Sequence, residues 1–284
     1  MNTNSNMRGA AAAVTGARHL RSARNGQDAA AAWTGARFAD AGPGGEGSGG
    51  AGLGAIVVCD GCGSGGSSEV GARLGAQLVI AALSAQLAAG ARPSDPALWD
   101  AMRAEVCAAL SRLVDAMSGE REQIVHEQFL FTIIAAAVAG DEVAVWAIGD
   151  GVYAIAGCDL AASPPRVLGP FADNQPPYLG YDLLAGRDDG GPAARARAHL
   201  ETAQTRAGSV TIATDGVAEL GLETLTGDAD RWLRHPDALR RQLAVLARGT
   251  ERVDWAERRT VRTPAALQDD GAIAVLRWVS EEPS

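Results

Sequence analysis

No lysine occurs in this chain: all 25 of its basic residues are arginine. That absence removes the P-loop lysine, the Schiff-base lysine and the lysine of the kinase strand together, and with them three large enzyme classes. No tight basic cluster is legible either. With a formal net charge of -9 and a pI near 5.0, the chain repels polyanions, so neither nucleic acid nor an anionic membrane is an expected partner. Runs of about 18 uninterrupted apolar residues are absent, and no membrane span is expected. Cysteine is sparse. The four are Cys59, Cys62, Cys107 and Cys158, and no apolar leader precedes the first patterned residues, which points to a reducing, cytoplasmic setting. Cys59-x-x-Cys62 lacks a second Cys or His pair at zinc-ligand spacing, so Cys59 reads as a strand-interior residue.

What is present fits one globular domain: 284 residues with 47% hydrophobic content. Residues 1–8 are polar and patternless, an expected disordered tail ahead of a single domain over 9–280, and 41–52 form a Gly-rich connector. Asp28 to Phe38 and Leu53 to Cys59 read as two strands joined by that connector. From Ser67 the period changes: Val70, Leu74, Leu78 and Ala82 recur every four residues, which predicts a helix. Pro93-Ser94-Asp95-Pro96 starts a second helix, with Leu98, Met102, Val106, Leu110, Leu113 and Met117 on one face. Strands return over Phe129 to Ala139, Glu142 to Ile148 and Val152 to Ala156, the last pair joined by Gly149-Asp150-Gly151. Residues 157–195, rich in Pro, Gly and Asp, predict a long flap-like loop region with at most short structure. Strands near Ala198 and at Ser209 to Thr214 follow, then helices around Ala229 to Arg248 and Glu251 to Arg259, then a strand over Ala272 to Val279. Strands grouped around helices, without strict βαβ alternation, predict an α+β fold with largely antiparallel sheets.

Four aspartates sit at the ends of strand-like runs: Asp28, Asp60 after Ala55-Ile56-Val57-Val58-Cys59, Asp215 after Val210-Thr211-Ile212-Ala213-Thr214, and Asp269 ahead of the last run. A carboxylate at the end of a buried strand is costly unless a cation meets it, and four from remote parts of the chain point to one shared metal site. Mg2+ and Mn2+ prefer oxygen donors, and the four His show no pairing at ligand spacing.

Gly61-Cys62-Gly63-Ser64-Gly65-Gly66 formally matches the dinucleotide fingerprint G-x-G-x-x-G. Asp60 directly ahead of it would turn a bare carboxylate on a pyrophosphate, and no acidic residue closes a second strand about 20 residues on. Nucleotide binding is therefore the weaker reading. Asp-Gly at positions 150–151, 215–216 and 270–271 makes turns on its own, yet the ordered recurrence at strand ends is harder to assign to turns alone.

Taken together, Gln27-Asp28, Asp60-Gly61-Cys62-Gly63, Gly149-Asp150-Gly151, Thr214-Asp215-Gly216 and Asp269-Asp270-Gly271-Ala272 resemble the motif series of metal-dependent protein serine/threonine phosphatases of the 2C type. Gly71-Ala72 and Asp173-Asn174-Gln175-Pro176-Pro177-Tyr178 are similar to the bacterial branch of that family. The resemblance implies a four-layer αββα sandwich of two mainly antiparallel sheets flanked by helix pairs, with two Mg2+ or Mn2+ ions in a cleft at one edge. On that resemblance Asp60 bridges both ions, the Gly61 carbonyl binds the first, Asp215 and Asp269 bind the second, and Asp28 stands nearby, directly or through water. Asp150 resembles the holder of a third, weaker ion. Asp270 is the fallback for Asp269.

The implied reaction is hydrolysis of phosphoserine or phosphothreonine in proteins, opposing a serine/threonine kinase. Two cations about 3.5 to 4 Å apart would neutralise the dianion and activate a bridging hydroxide for in-line attack. A substrate phosphate also calls for a guanidinium. Arg21 and Arg24, ahead of Asp28, are candidates by position, and each reads equally as a solvated surface charge. Cys62 stands where eukaryotic members often carry His, Ala272 where a Thr is usual, and Gly26 interrupts the usual Asn-Glu/Gln-Asp. These departures keep open a catalytically silent relative that binds and regulates a partner.

Overall fold

The computed structural model describes residues 5–35, 52–157, 164–184, 197–204, 207–222, 235 and 237–280. Its first half comprises β1 (Ser5–Val14), α1 (Ala17–Arg21), β2 (Ala29–Gly35), β3 (Leu53–Gly61), α2 (Ser68–Ala88), α3 (Pro96–Ala116) and α4 (Arg121–Gln128). There follow β4 (Phe131–Ala139), β5 (Glu142–Ile148), β6 (Gly151–Gly157), β7 (Arg166–Leu168), β8 (His199–Gln204) and β9 (Ala207–Ala213), with short 3-10 turns at Ala172–Asn174 and Leu179–Leu183. The chain continues through α5 (Asp215–Ala218), α6 (Ala238–Leu246), β10 (Thr250–Asp254), β11 (Arg259–Thr263) and β12 (Gly271–Ser280).

Two five-stranded antiparallel sheets, ordered β1-β12-β9-β6-β7 and β2-β3-β4-β5-β8, face each other. Strand alternation explains why. On β3, Leu53, Ala55, Val57 and Cys59 face the helices, while Ile56 and Val58 enter the layer between the sheets with Ile134, Ala136, Val138, Ala272, Ala274 and Leu276. β12 turns Ile273 and Val275 the other way, against Leu239 and Leu243 of α6 and Val217 of α5. Both faces of the central strands are thus covered, which is why β3 and β4 read as nearly continuous apolar runs. The expected αββα layering is present, α2 and α3 on one side, α5 and α6 on the other.

Asp95 caps α3 by accepting the Ala97 amide at 2.9 Å, and Pro96 occupies its first turn, as the sequence signal predicts. The 21-residue α2 meets the length and hydropathy of a membrane span, but its Ala72, Ala76, Val79 and Leu83 are buried against the second sheet.

Two expectations need correction. Residues 5–8, read as tail, begin β1 and pair with 277–280 of β12. Alanine-rich β1 has little pattern to show, and its partner lies at the far end of the chain. Glu251 to Arg259, read as helical, form β10, a turn and the start of β11, with Arg258 at φ 50° in the turn. The β-branched Thr250, Val253, Thr260 and Val261 favour that state. The helix expected over 229–248 is present over Ala238–Leu246, and residues 229–234 and 236 of that stretch lie outside the described residues. The sequence reading also passed over α4, whose Ile124 and Val125 pack into the α2–α3 layer. Most of the Gly-rich connector, residues 41–51, and residues 158–163 and 185–195 of the flap-like region lie outside the described residues. The rest of the flap holds only β7 and the two 3-10 turns.

Candidate metal centre

Antiparallel register gathers the strand-end aspartates at one edge of the sandwich. Ala29 pairs with Cys59, which brings Asp28 and Asp60 out side by side at the end of the second sheet. In the first sheet Val152 and Ile273 both pair with Ala213, so Asp150, Asp215 and Asp269 leave their strands at the facing end. Asp28, Asp60, Gly61, Asp150, Asp215, Asp269 and Asp270 line one cleft of about 320 Å³. Asp60 is central, its carboxyl coupled electrostatically to both Asp28 and Asp215.

The electrostatics follow from that crowding. Burial pushes the Asp28 carboxyl up to about 7, against the opposing pull of hydrogen bonds from Thr214 and Asp60, with Asp270 and Asp215 adding repulsion. Asp60 stands well above the ordinary carboxylate range, through burial first and then the charges of Asp28 and Asp215. Burial raises Asp150, aided by Asp215; it also raises Asp215, where the Gly216 amide opposes it and Asp269 adds to it. The aspartate donors are hard oxygens, and among the described residues that line the cleft Arg18 and Arg24 are the guanidinium cations, with His19 beside them. A divalent cation relieves both the burial cost and the mutual repulsion, so the residues present fit Mg2+ or Mn2+.

Asp269 and Asp270 differ sharply. The Asp270 side chain is only 4% exposed: Oδ1 accepts the Gly16 amide at 2.8 Å, Oδ2 accepts the Gln27 amide at 2.6 Å, and Oδ2 lies 2.7 Å from His19 Nδ1. Its oxygens are taken up in holding the end of β1 and the approach to Asp28. Asp269, 47% exposed, faces the cleft and pairs with Arg18 at 3.2 Å. Gly16 and Gly216 fit closely round this dipeptide, since a Cβ on either would come within 2.0 Å of the Asp269 or Asp270 carbonyl oxygen. The clustering of His19, Asp269 and Asp270 therefore joins one cleft-facing carboxylate to a structural pair.

Of the two arginine candidates, Arg24 lines the cleft and donates to the Gly63 carbonyl at 3.2 Å. Arg21 is a correction: it is not part of the lining, and its guanidinium turns to Gln268 at 3.4 Å. Arg18, one helical turn before it on α1, is the second guanidinium of the cleft; its i, i+3 spacing to Arg21 was the available signal. Tyr178 was also missed as a site residue. It reaches the cleft opposite Cys62, where burial and then a hydrogen bond to the thiol raise its hydroxyl. Burial pushes the Cys62 thiol up, but hydrogen bonds involving Ser64 and Tyr178 outweigh it and leave the thiol below its ordinary value. Tyr178 is positioned from behind by the Leu179–Leu183 turn, where Asp182 receives Arg103 in a bidentate pair at 2.6 and 2.8 Å and the Leu183 carbonyl receives Arg121.

With this geometry in hand, residues 15–261 match the protein phosphatase 2C family, and the chain belongs to that family of protein phosphatases. Solved structures similar to it include the catalytic domain of the serine/threonine phosphatase PstP in complex with two manganese ions (17% identity, 96% of this chain and 98% of that one, TM-score 0.54). The Mycobacterium tuberculosis serine/threonine phosphatase PstP/Ppp (17% identity, 95% and 98% covered, TM-score 0.53) and the S. agalactiae serine/threonine phosphatase (15% identity, 96% and 99% covered, TM-score 0.51) share the fold. No curated protein matches the chain.

Proposed function

We propose that this chain hydrolyses phosphoserine and phosphothreonine in proteins with the help of Mn2+ or Mg2+, which Asp28, Asp60, Asp215 and Asp269 would hold. Gly61 and Asp150 complete the set, Asp150 toward a third, weaker site. One observation carries this: carboxylates from five separate stretches of a lysine-free chain converge in one cleft without enough cationic side chains to neutralise them. When bound, two such ions supply charge neutralisation of the phosphate and activation of water.

The chain's own residues do the rest. Arg24 and Arg18, at the cleft wall, offer guanidinium forks to the equatorial phosphate oxygens. Arg18 releases Asp269 to do so, an exchange open to it because the pair is half-exposed. Thr214 holds Asp28 in orientation through its hydroxyl at 2.7 Å. Tyr178 and Cys62 form a polar wall of the cleft. The setting we assign is cytoplasmic, opposing a serine/threonine kinase.

The test is hydrolysis of a phosphothreonine peptide with and without Mn2+, in the wild type and in Asp60→Asn. We expect metal-dependent turnover that falls by at least about a thousandfold in the variant. Equal rates would remove the catalytic reading, and calorimetry showing no Mn2+ binding would leave a silent phosphatase-like binding protein.

A further inference from the structure

The β10–β11 hairpin is a two-stranded sheet of its own, separate from the sandwich. Eight of its ten strand residues are exposed, Asp254 and Val261 being the exceptions, and Trp255 at its turn is 83% exposed, with Val253 at 50%. A lone hairpin is marginal in water, and an uncovered Trp at its tip is costly to leave in solvent. Residues 248–263 carry five arginines against three carboxylates, a local excess that the whole-chain charge of -9 conceals. Only Arg262 among them forms an ion pair, with Glu251 at 2.6 Å; Arg248, Arg252, Arg258 and Arg259 have none among the described residues. Each strand also has one outer edge left unpaired among the described residues.

The root of the hairpin is stitched to the metal cleft. The Leu267 amide bonds Leu246 at 2.9 Å, the Ala17 amide bonds the Leu267 carbonyl at 3.2 Å, and the Arg18 amide bonds Gln268 at 2.9 Å, one residue before Asp269. We propose that this hairpin is a docking element for an extended acidic segment of the phosphoprotein substrate, outside the phosphorylated residue, which adds along an open strand edge with its carboxylates on the unpaired arginines and its apolar side chains against Trp255. Strand addition supplies backbone hydrogen bonds, and the guanidiniums supply charge selection. A short peptide senses only the local field, since screening cuts off charges beyond about 8 Å. A broad anionic membrane would meet the net negative charge of the whole protein and the interleaved Glu251, Asp254 and Glu257.

The substrate assignment rests on the phosphatase reading, but the test does not need turnover. A fluorescein-labelled, unphosphorylated Glu/Asp-rich peptide and its Gln/Asn counterpart are titrated with the full chain, with Trp255→Ala and with the triple variant Arg252→Glu, Arg258→Glu, Arg259→Glu. The expected result is salt-sensitive binding of the acidic peptide alone, weakened about tenfold or more by the triple variant and about fivefold by Trp255→Ala. Turnover of p-nitrophenyl phosphate stays unchanged in both variants. Equal affinity of wild type and triple variant, or equal binding of the neutral peptide, overturns the proposal. So does hairpin-dependent retention on phosphatidylserine vesicles that the acidic peptide fails to displace, or hairpin-dependent self-association. Failure of phosphopeptide hydrolysis with intact acidic-peptide binding overturns the activity and not the docking surface.

Discussion

Thr214 and Asp28, 186 positions apart in sequence, are joined by a 2.7 Å hydrogen bond from the threonine hydroxyl to Oδ2. The same hydroxyl accepts the Ala272 amide at 2.9 Å, so one 2%-exposed side chain links the ends of β2, β9 and β12. Thr214→Val should destabilise the fold by ~1–3 kcal/mol, because it leaves a buried amide without an acceptor. It should also lower Mn2+ affinity about 10- to 100-fold, because Asp28 loses the group that orients it. Urea denaturation and calorimetry read the two effects separately, and a variant with wild-type Mn2+ affinity would show that the hydroxyl is structural only.

The contrast between Asp269 and Asp270 predicts opposite phenotypes for neighbouring substitutions. Asp269→Ala should leave stability in EDTA close to wild type while weakening Mn2+ binding. Asp270→Ala strips the acceptor from the Gly16 and Gln27 amides and should cost ~2–4 kcal/mol in EDTA. If Asp270→Ala is as stable as wild type without metal, the structural role assigned to it is wrong.

Repulsion within the cleft sets a pH dependence for the metal-free chain. In the folded state Asp28 and its neighbours hold their protons above the usual 3.8 of aspartate, Asp28 up to about 7. A raised carboxylate stabilises the fold fully below its unfolded pKa and loses that contribution as pH rises through its folded pKa. The metal-free wild type should therefore lose ground to metal-free Asp60→Asn, which lacks one of the buried charges, as pH climbs from about 4 through 7. Melting curves in EDTA across this range check the sign. Added Mn2+ displaces the protons, so its stabilising effect should grow with pH over the same interval. A metal-free Asp60→Asn whose advantage shrinks with rising pH would contradict the electrostatic account.

Arg103 and Asp182, 10% and 4% exposed at their side chains, hold the turn behind Tyr178 against α3. Arg103→Met leaves the aspartate buried and unpaired and should cost ~3–5 kcal/mol. Faster hydrogen exchange over residues 178–184 and a raised KM for phosphopeptides should accompany the loss. The double variant Arg103→Met, Asp182→Leu should recover much of the stability and less of the KM. Unchanged exchange in this turn would separate it from Tyr178 positioning.

Much of this protein was readable in its residues. The change of period at Ser67, the Asp95-Pro96 start signal and the apolar run of β4 are local matters, set by which faces a helix or strand must bury, and they recur in the structure at nearly the same positions. Acid residues at the ends of buried strands announced a cationic site for the same reason, since burial cost belongs to the residue type and its place in the pattern. Tertiary structure alone decided what depends on distant partners. Asp270 turns inward because the Gly16 and Gln27 amides, 254 and 243 positions away, bind its carboxylate, leaving Asp269 toward the cleft. Arg18, and not Arg21, lines that cleft because of where α1 docks on residues 267–269. Residues 251–259 form a hairpin because their hydrogen bonds close across the turn to 259–263, a pairing that a helical count of nearby apolar residues does not register.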